Sequence, residues 1–230
     1  MSILEEIALR QSFRLGFLLV GVSFALVYVV GFCYRGPSMV KTLVKAVPLL
    51  SFAAAVGVTF GHPLIILALV SSAIGDIALS RSSDKPFLVG LISFAIAHVF
   101  YIVHFWGLSG GLDGALALPV AAAALVIFAL STEVWLGPFT DEMRWPVRVY
   151  VVLITVMGLT ALGLNGMPLA MFGAFAFLMS DTLLSIQLFR MSDHSVWQVP
   201  TSVVLWLLYA GGQFAILAGA GWSTPLFQIW

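Results

Sequence analysis

Long apolar runs, broken at intervals by short polar clusters, set the pattern of this 230-residue chain. A helix that crosses the hydrocarbon core of a bilayer needs about 20 mostly apolar residues. Eight runs qualify, near residues 13–33, 41–58, 63–80, 87–106, 114–131, 147–164, 168–189 and 199–219. The breaks between them, YRGPS, FGHP, RSSDKP, GLSGGLDG, GPFTDEMRWP, LNGMP and RMSDHS, carry the Gly, Pro, Asn, Asp and Ser that turns favour. This pattern predicts an all-α integral membrane protein with eight transmembrane helices. No break is long enough to hold a second domain, so residues 1–230 read as a single multi-pass membrane domain.

Composition sharpens that reading. The chain is 61% hydrophobic and 9% charged, where an ordinary soluble domain is about a quarter charged. Ten Lys and Arg balance ten Asp and Glu, so no excess charge points to nucleic acid, and membrane lipid is the expected partner. The single cysteine, Cys33, excludes an internal disulfide, and no CxxC or Cys/His zinc spacing is present. The N-terminal MSILEEIALRQSFR places acidic residues ahead of the first run, and no A-x-A-like site follows it, so that run is expected to stay as a helix. Positive residues accumulate in cytoplasmic connections. Arg35, Lys41, Lys45, Arg81, Lys85, Arg144, Arg148 and Arg190 fall on one side of the predicted topology and only Arg10 and Arg14 on the other. Both termini are therefore expected outside the cytoplasm, in a bacterial inner membrane.

Two carboxylates interrupt the apolar runs. Asp76 and Asp181 each open a D-x-x-L-S pattern, 105 residues apart. Four predicted helices separate equivalent points, so the copies run the same way through the membrane, as in a parallel repeat of two four-helix halves. At a rise of about 1.5 Å per residue, Asp76 lies roughly 6 Å, and Asp181 roughly 12 Å, from the inner end of its helix. They can face one cavity. An ionisable group at the centre of a spanning helix costs about 2.5–3.5 kcal/mol on insertion scales and usually marks a site or a pathway. The structural alternative is that each carboxyl merely glues helices through neighbours such as Ser80 and Ser180. The functional reading is a carboxyl pair in a semi-dry cavity, one member protonated and the other ionised, which supplies an acid and a base.

Other side chains could complete such a site. Lys41 and Lys45 are four apart and stack on one helix face. Lys41 reads as an anchor, while the deeper Lys45, followed by Pro48, could grip an anionic head group as a point charge. His98 and Tyr101 share a face, whereas His98 and His104 point about 120° apart, which disfavours a two-His metal face. His104 reads as an interfacial residue beside Trp106. Tyr150 occupies the place of Lys45 under the 105-residue offset and is a candidate cavity wall. Gln213 and Asn165 read as packing and loop positions. No phosphate loop, G-x-S-x-G elbow or HExxH is present.

Lys45-Ala46-Val47-Pro48, Gly75-Asp76, Gly90-x-x-x-Phe94-x-x-x-His98-x-x-Tyr101 and Phe177-x-x-Ser180-Asp181 together resemble the YhhN-like family, the lysoplasmalogenases, over nearly the whole chain. The resemblance implies an eight-helix membrane hydrolase that cleaves the vinyl ether of lysoplasmalogen, releasing a fatty aldehyde and glycerophosphoethanolamine or glycerophosphocholine. It also implies that Asp76 and Asp181 match the candidate catalytic aspartates, and that Lys45, His98 and Tyr101 match other motif positions. The usual Lys-Pro pair reads Lys45-Ala46 here. Vinyl ether hydrolysis passes through an oxocarbenium ion and needs one acid and one base, much as in glycosidases. It requires no metal or other cofactor. The implied ligand is a lysophospholipid, bound through Lys45, His98, Tyr101 and Tyr150. Two other readings use the same residues: a proton- or cation-coupled transporter built on the two aspartates, and a metal-dependent lipid amidase of the ceramidase kind, for which the chain has too few intrahelical histidines.

Overall fold

A computed structural model describes residues 2–81 and 84–223, with residues 84 and 85 described by backbone alone. Helices dominate. They are α1 (Ile3–Gly31), α2 (Met39–Val58), α3 (Pro63–Leu79), α4 (Asp84–Ser109), the five-residue α5 (Asp113–Ala117), α6 (Pro119–Trp135), α7 (Arg144–Ala161), α8 (Pro168–Phe189) and α9 (Gln198–Ala220), with two 3₁₀ turns between α6 and α7.

Local chemistry explains the boundaries. α1 starts ten residues ahead of the predicted run because Ser2 and Glu5 form a capping box: the Glu5 amide donates to Ser2 Oγ and the Ser2 amide to Glu5 Oε2. Ser38 caps α2 by accepting from the Lys41 amide at 3.1 Å. Pro63 and Pro168 open α3 and α8, where the missing N–H is one the helix could not use. Pro119 does the same for α6 and splits the predicted run 114–131 into α5 and α6 at Leu118.

Seven helices among the described residues are long and apolar enough to cross a membrane. The expected count of eight is not met. α3 has 17 residues, or about 26 Å of rise, and the hydrocarbon core is about 30 Å thick. It begins at Pro63 and stops where the Ser80 amide and hydroxyl both donate to the Asp76 carbonyl. The chain is an all-α, multi-pass integral membrane protein, and its exposed Leu19, Val30, Val120, Val134 and Phe172 suit a lipid surface as apolar as themselves.

Contacts divide the chain into two compact units, Met1–Phe100 with Leu217–Trp230, and Tyr101–Ile216. In the first, α2 packs against both α1 and α3, and Leu49, Phe52, Val56, Ile65 and Leu69 are buried. α3 and α4 approach closely at Gly75, where a Cβ would meet the Phe94 ring at 2.6 Å. The polar first turns of α1 are tied down: Arg10 donates to the Val58 carbonyl at 3.1 Å and lies over Phe60, while Arg14 lies over Trp222. In the second unit, α8 meets α9 at Gly212, whose Cβ would come within 2.9 Å of the Gly173 carbonyl. Small residues at such crossings let backbones approach in lipid.

Candidate active site

In the first unit, Lys45 of α2 reaches across to Asp76 of α3, Nζ to Oδ1 at 2.9 Å. Both side chains are withdrawn from the surface, with relative exposures of 16% and 1%. Two charges so deep are tolerable only together, because removing either partner leaves the other buried and uncompensated. Tyr28 of α1 and Cys33 lie close enough to Lys45 to interact with its charge. The ammonium expected to face a head group is thus turned toward a carboxylate. Lys41, expected on the same face, instead donates to the Arg35 carbonyl in the preceding turn.

His98 of α4 is fully buried. Its Nδ1 lies 2.7 Å from the Phe94 carbonyl one turn earlier, and a carbonyl can only accept, so Nδ1 carries a hydrogen. The Ser80 hydroxyl bonds the Asp76 backbone carbonyl.

In the second unit, the Tyr150 hydroxyl of α7 donates to Asp181 Oδ2 of α8 at 2.5 Å, and both residues are half-buried. The Ser180 hydroxyl donates to the Phe177 carbonyl. Tyr101 is fully buried, and its hydroxyl donates to Gln213 Oε1 of α9. Its ring stacks on Phe105 and meets Phe177 edge-on, in a cluster that continues through Tyr209 to Trp206. Gln213 was expected to be plain packing, yet it is the hydrogen-bond partner of a candidate site residue. An amide within an apolar helix was the available signal. His104, expected at the interface beside Trp106, is buried against Phe105, while Trp106 is exposed.

The structure therefore brings together Lys45 with Asp76 and Tyr150 with Asp181, and ties Tyr101 to Gln213 and His98 to its own helix. These features define a class: a multi-pass helical membrane protein that keeps two carboxyls inside apolar helices, each engaged by a donor from a neighbouring helix. The chain belongs to the YhhN family, whose sequence profile matches residues 40–220. It is 36% identical over 136 residues to the lysoplasmalogenase TMEM86A of Homo sapiens, covering 55% of this chain and 53% of that protein, so it spans about half the length of the human relative. It is 29% identical over 195 residues to a lysoplasmalogenase of Mycobacterium bovis, covering 80% of this chain and 71% of that one. It is 30% identical over 172 residues to the TMEM86A lysoplasmalogenase of Bos taurus, covering 66% and 68%. No solved structure matches.

Cys33 lies in the turn between α1 and α2. Burial pushes its thiol up to about 11, against the lowering pull of the Lys41 and Lys45 ammonium groups. Because the thiolate is the reactive form, maleimide should modify the folded protein slowly at neutral pH. The rate should keep climbing past pH 9, whereas in the detergent-unfolded chain it levels off near the ordinary thiol value of about 8.5. Stopped-flow labelling against pH measures both curves.

Proposed function

We propose that this chain is a lysoplasmalogenase-like ether hydrolase, which cleaves the vinyl ether bond of lysoplasmalogen to a fatty aldehyde and glycerophosphoethanolamine or glycerophosphocholine. The names of its relatives support the substrate class. Within the chain, the reading rests on one observation: Asp76 and Asp181 lie in apolar helices and each is engaged by its own side-chain donor. Structural glue needs hydrogen bonds but not ionisable groups, and intramembrane carboxyls are costly enough that their retention favours chemistry.

The reaction balances with two carboxyls and one water. One carboxyl protonates the alkenyl carbon distal to the ether oxygen, becoming a carboxylate and leaving an oxocarbenium ion. The other, already a carboxylate, takes a proton as water adds to that cation, giving a hemiacetal. Collapse then returns the hemiacetal hydroxyl proton to the first residue, while the second delivers its proton to the departing alkoxide. Both residues end as they began, and the products are one aldehyde and one alcohol. Each transfer by a positioned side chain contributes about 10²–10⁴-fold.

Purified protein incubated with lysoplasmalogen and, separately, with an ester-linked lysolipid tests this reading. Free aldehyde from the first and no fatty acid from the second is the expected result; a folded protein that releases no aldehyde sinks it. Asp76→Asn and Asp181→Asn keep size and hydrogen bonding but cannot transfer the proton, so each should lower kcat by about 10² or more. The double variant should be little worse than the worse single one, because both act on one reaction.

We also place both termini outside the cytoplasm of a bacterial inner membrane, on the strength of the lopsided basic residues and with the 17-residue α3 counted as an eighth crossing. In a Cys33→Ser background, a membrane-impermeant maleimide applied to intact cells should label Asn165→Cys and spare Gly36→Cys. The reverse pattern would invert the topology.

A further inference from the structure

Gln11, Arg14, Leu18 and Gly21 follow one another at helical spacing on α1 and form a single stripe that turns inward in the first unit. Leu18 and Gly21 are buried and Gln11 and Arg14 half-buried, while their neighbours Ser12, Phe13 and Leu15 are exposed. The apolar part of the stripe is packed, since Gly21 lies against the Phe52 ring of α2. The polar part is not satisfied. Oε1 of Gln11 and Nε of Arg14 are buried with no hydrogen-bond partner among the described residues. Arg10, one turn earlier, pairs with Glu6 at 2.7 Å and donates to the Val58 carbonyl. Arg14 makes no hydrogen bond or ion pair with any described residue; it has only the Trp222 ring, whose centroid lies 5.3 Å from its guanidinium carbon. That ring is itself fixed, because its Nε1 donates to Thr59 Oγ1 at 2.7 Å. A ring answers the face of a guanidinium and leaves the five N–H donors in its plane unmatched.

Depth decides what can match them. The 29 residues of α1 rise about 44 Å against a hydrocarbon core of about 30 Å, so about nine residues stand outside that core. The apolar run begins at residue 13, which puts Arg14 at the boundary where lipid phosphates lie, with the exposed Phe13, Leu15 and Leu19 beside it to meet the chains. We propose that Gln11, Arg14 and Trp222 form a site for a resident phospholipid in the leaflet at the N-terminal end of α1. The guanidinium holds the head-group phosphate, whose several acceptor oxygens suit its planar fork. Oε1 of Gln11 accepts from a donor farther along the head group, an ammonium or a hydroxyl. Phosphoethanolamine and phosphoglycerol head groups carry both the anion and the donor; phosphocholine carries the anion alone. The site is separate from the Lys45–Asp76 pair: Thr59 is fourteen residues past Lys45, about 21 Å along α2.

Native mass spectrometry of delipidated protein in detergent, titrated with diacyl phosphatidylethanolamine, phosphatidylglycerol or phosphatidylcholine, reads the affinity of the first lipid bound. The wild type should hold the ethanolamine and glycerol lipids more tightly than the choline lipid. Arg14→Met should weaken all three by about tenfold or more, as expected for losing hydrogen bonds from a charged donor. Gln11→Leu should bring the first two down to the level of the choline lipid and leave the last unchanged. Arg35→Gln, which removes an exposed charge beyond the other end of α1, should change none of them. Inorganic phosphate should not displace the lipid, and displacement would make this a site for a free anion and overturn the proposal. Equal lipid binding by Arg14→Met and the wild type, or equal losses in Arg14→Met and Arg35→Gln, would make Arg14 a surface anchor only. A Gln11→Leu protein that still prefers the ethanolamine lipid would remove Gln11 from the site. If Arg14→Met gives no monodisperse peak in size-exclusion chromatography, Arg14→Lys, which keeps the charge and loses the fork, decides: weaker binding than the wild type supports the site and equal binding refutes it.

Discussion

A carboxyl group inside a membrane-spanning protein must be met by a donor from a neighbouring helix, because lipid offers neither water nor counter-ions. That requirement organises the described structure. It draws α2 to α3 through Lys45 and Asp76, and α7 to α8 through Tyr150 and Asp181. It also limits what else those donors do. A lysine ammonium 2.9 Å from a buried carboxylate is first a counter-ion, and a grip on a lipid phosphate by the same group has to compete with that carboxylate.

Around these contacts the packing is of the kind lipid permits. Apolar area gives no drive to bring helices together when the solvent is itself apolar, so close approach falls to small residues and to polar bonds. Gly75 against Phe94 and Gly212 against Gly173 supply the first. Tyr101 with Gln213, and Gln187 of α8 with Gln198 and Ser202 of α9, supply the second. α3, which like α6 has 17 residues, carries the most deeply buried carboxyl among the described residues. The Ser80 bonds that stop it fall one turn past Asp76.

Much of this was legible in the sequence, and the misses have physical reasons. The apolar runs located the long helices because spanning length and hydropathy are properties of a segment taken alone. The start of α1 was missed because its first turns are polar, although the Ser2–Glu5 capping box is written in the sequence. The break at Pro119 was hidden inside an apolar run. Asp76 and Asp181 stood out by cost alone, and Tyr150 was found by the 105-residue offset from Lys45. Partners were harder. That Lys45 meets Asp76, that Lys41 turns back to Arg35 and that Gln213 receives Tyr101 depend on how helices rotate against each other, which residue spacing along one helix does not encode. His104 was misplaced for the same reason: its position near a helix end suggested the interface, but its face of the helix is inward.

The dependence of the fold on the Lys45–Asp76 ion pair is measured most directly by a thermal-unfolding double-mutant cycle in detergent. Lys45→Met alone leaves a buried carboxylate uncompensated and should be strongly destabilising, by about 3–5 kcal/mol. Adding Asp76→Asn removes that charge and should restore much of the loss, so the two changes are far from additive. Strict additivity, or a Lys45→Met protein as stable as the wild type, would contradict the account.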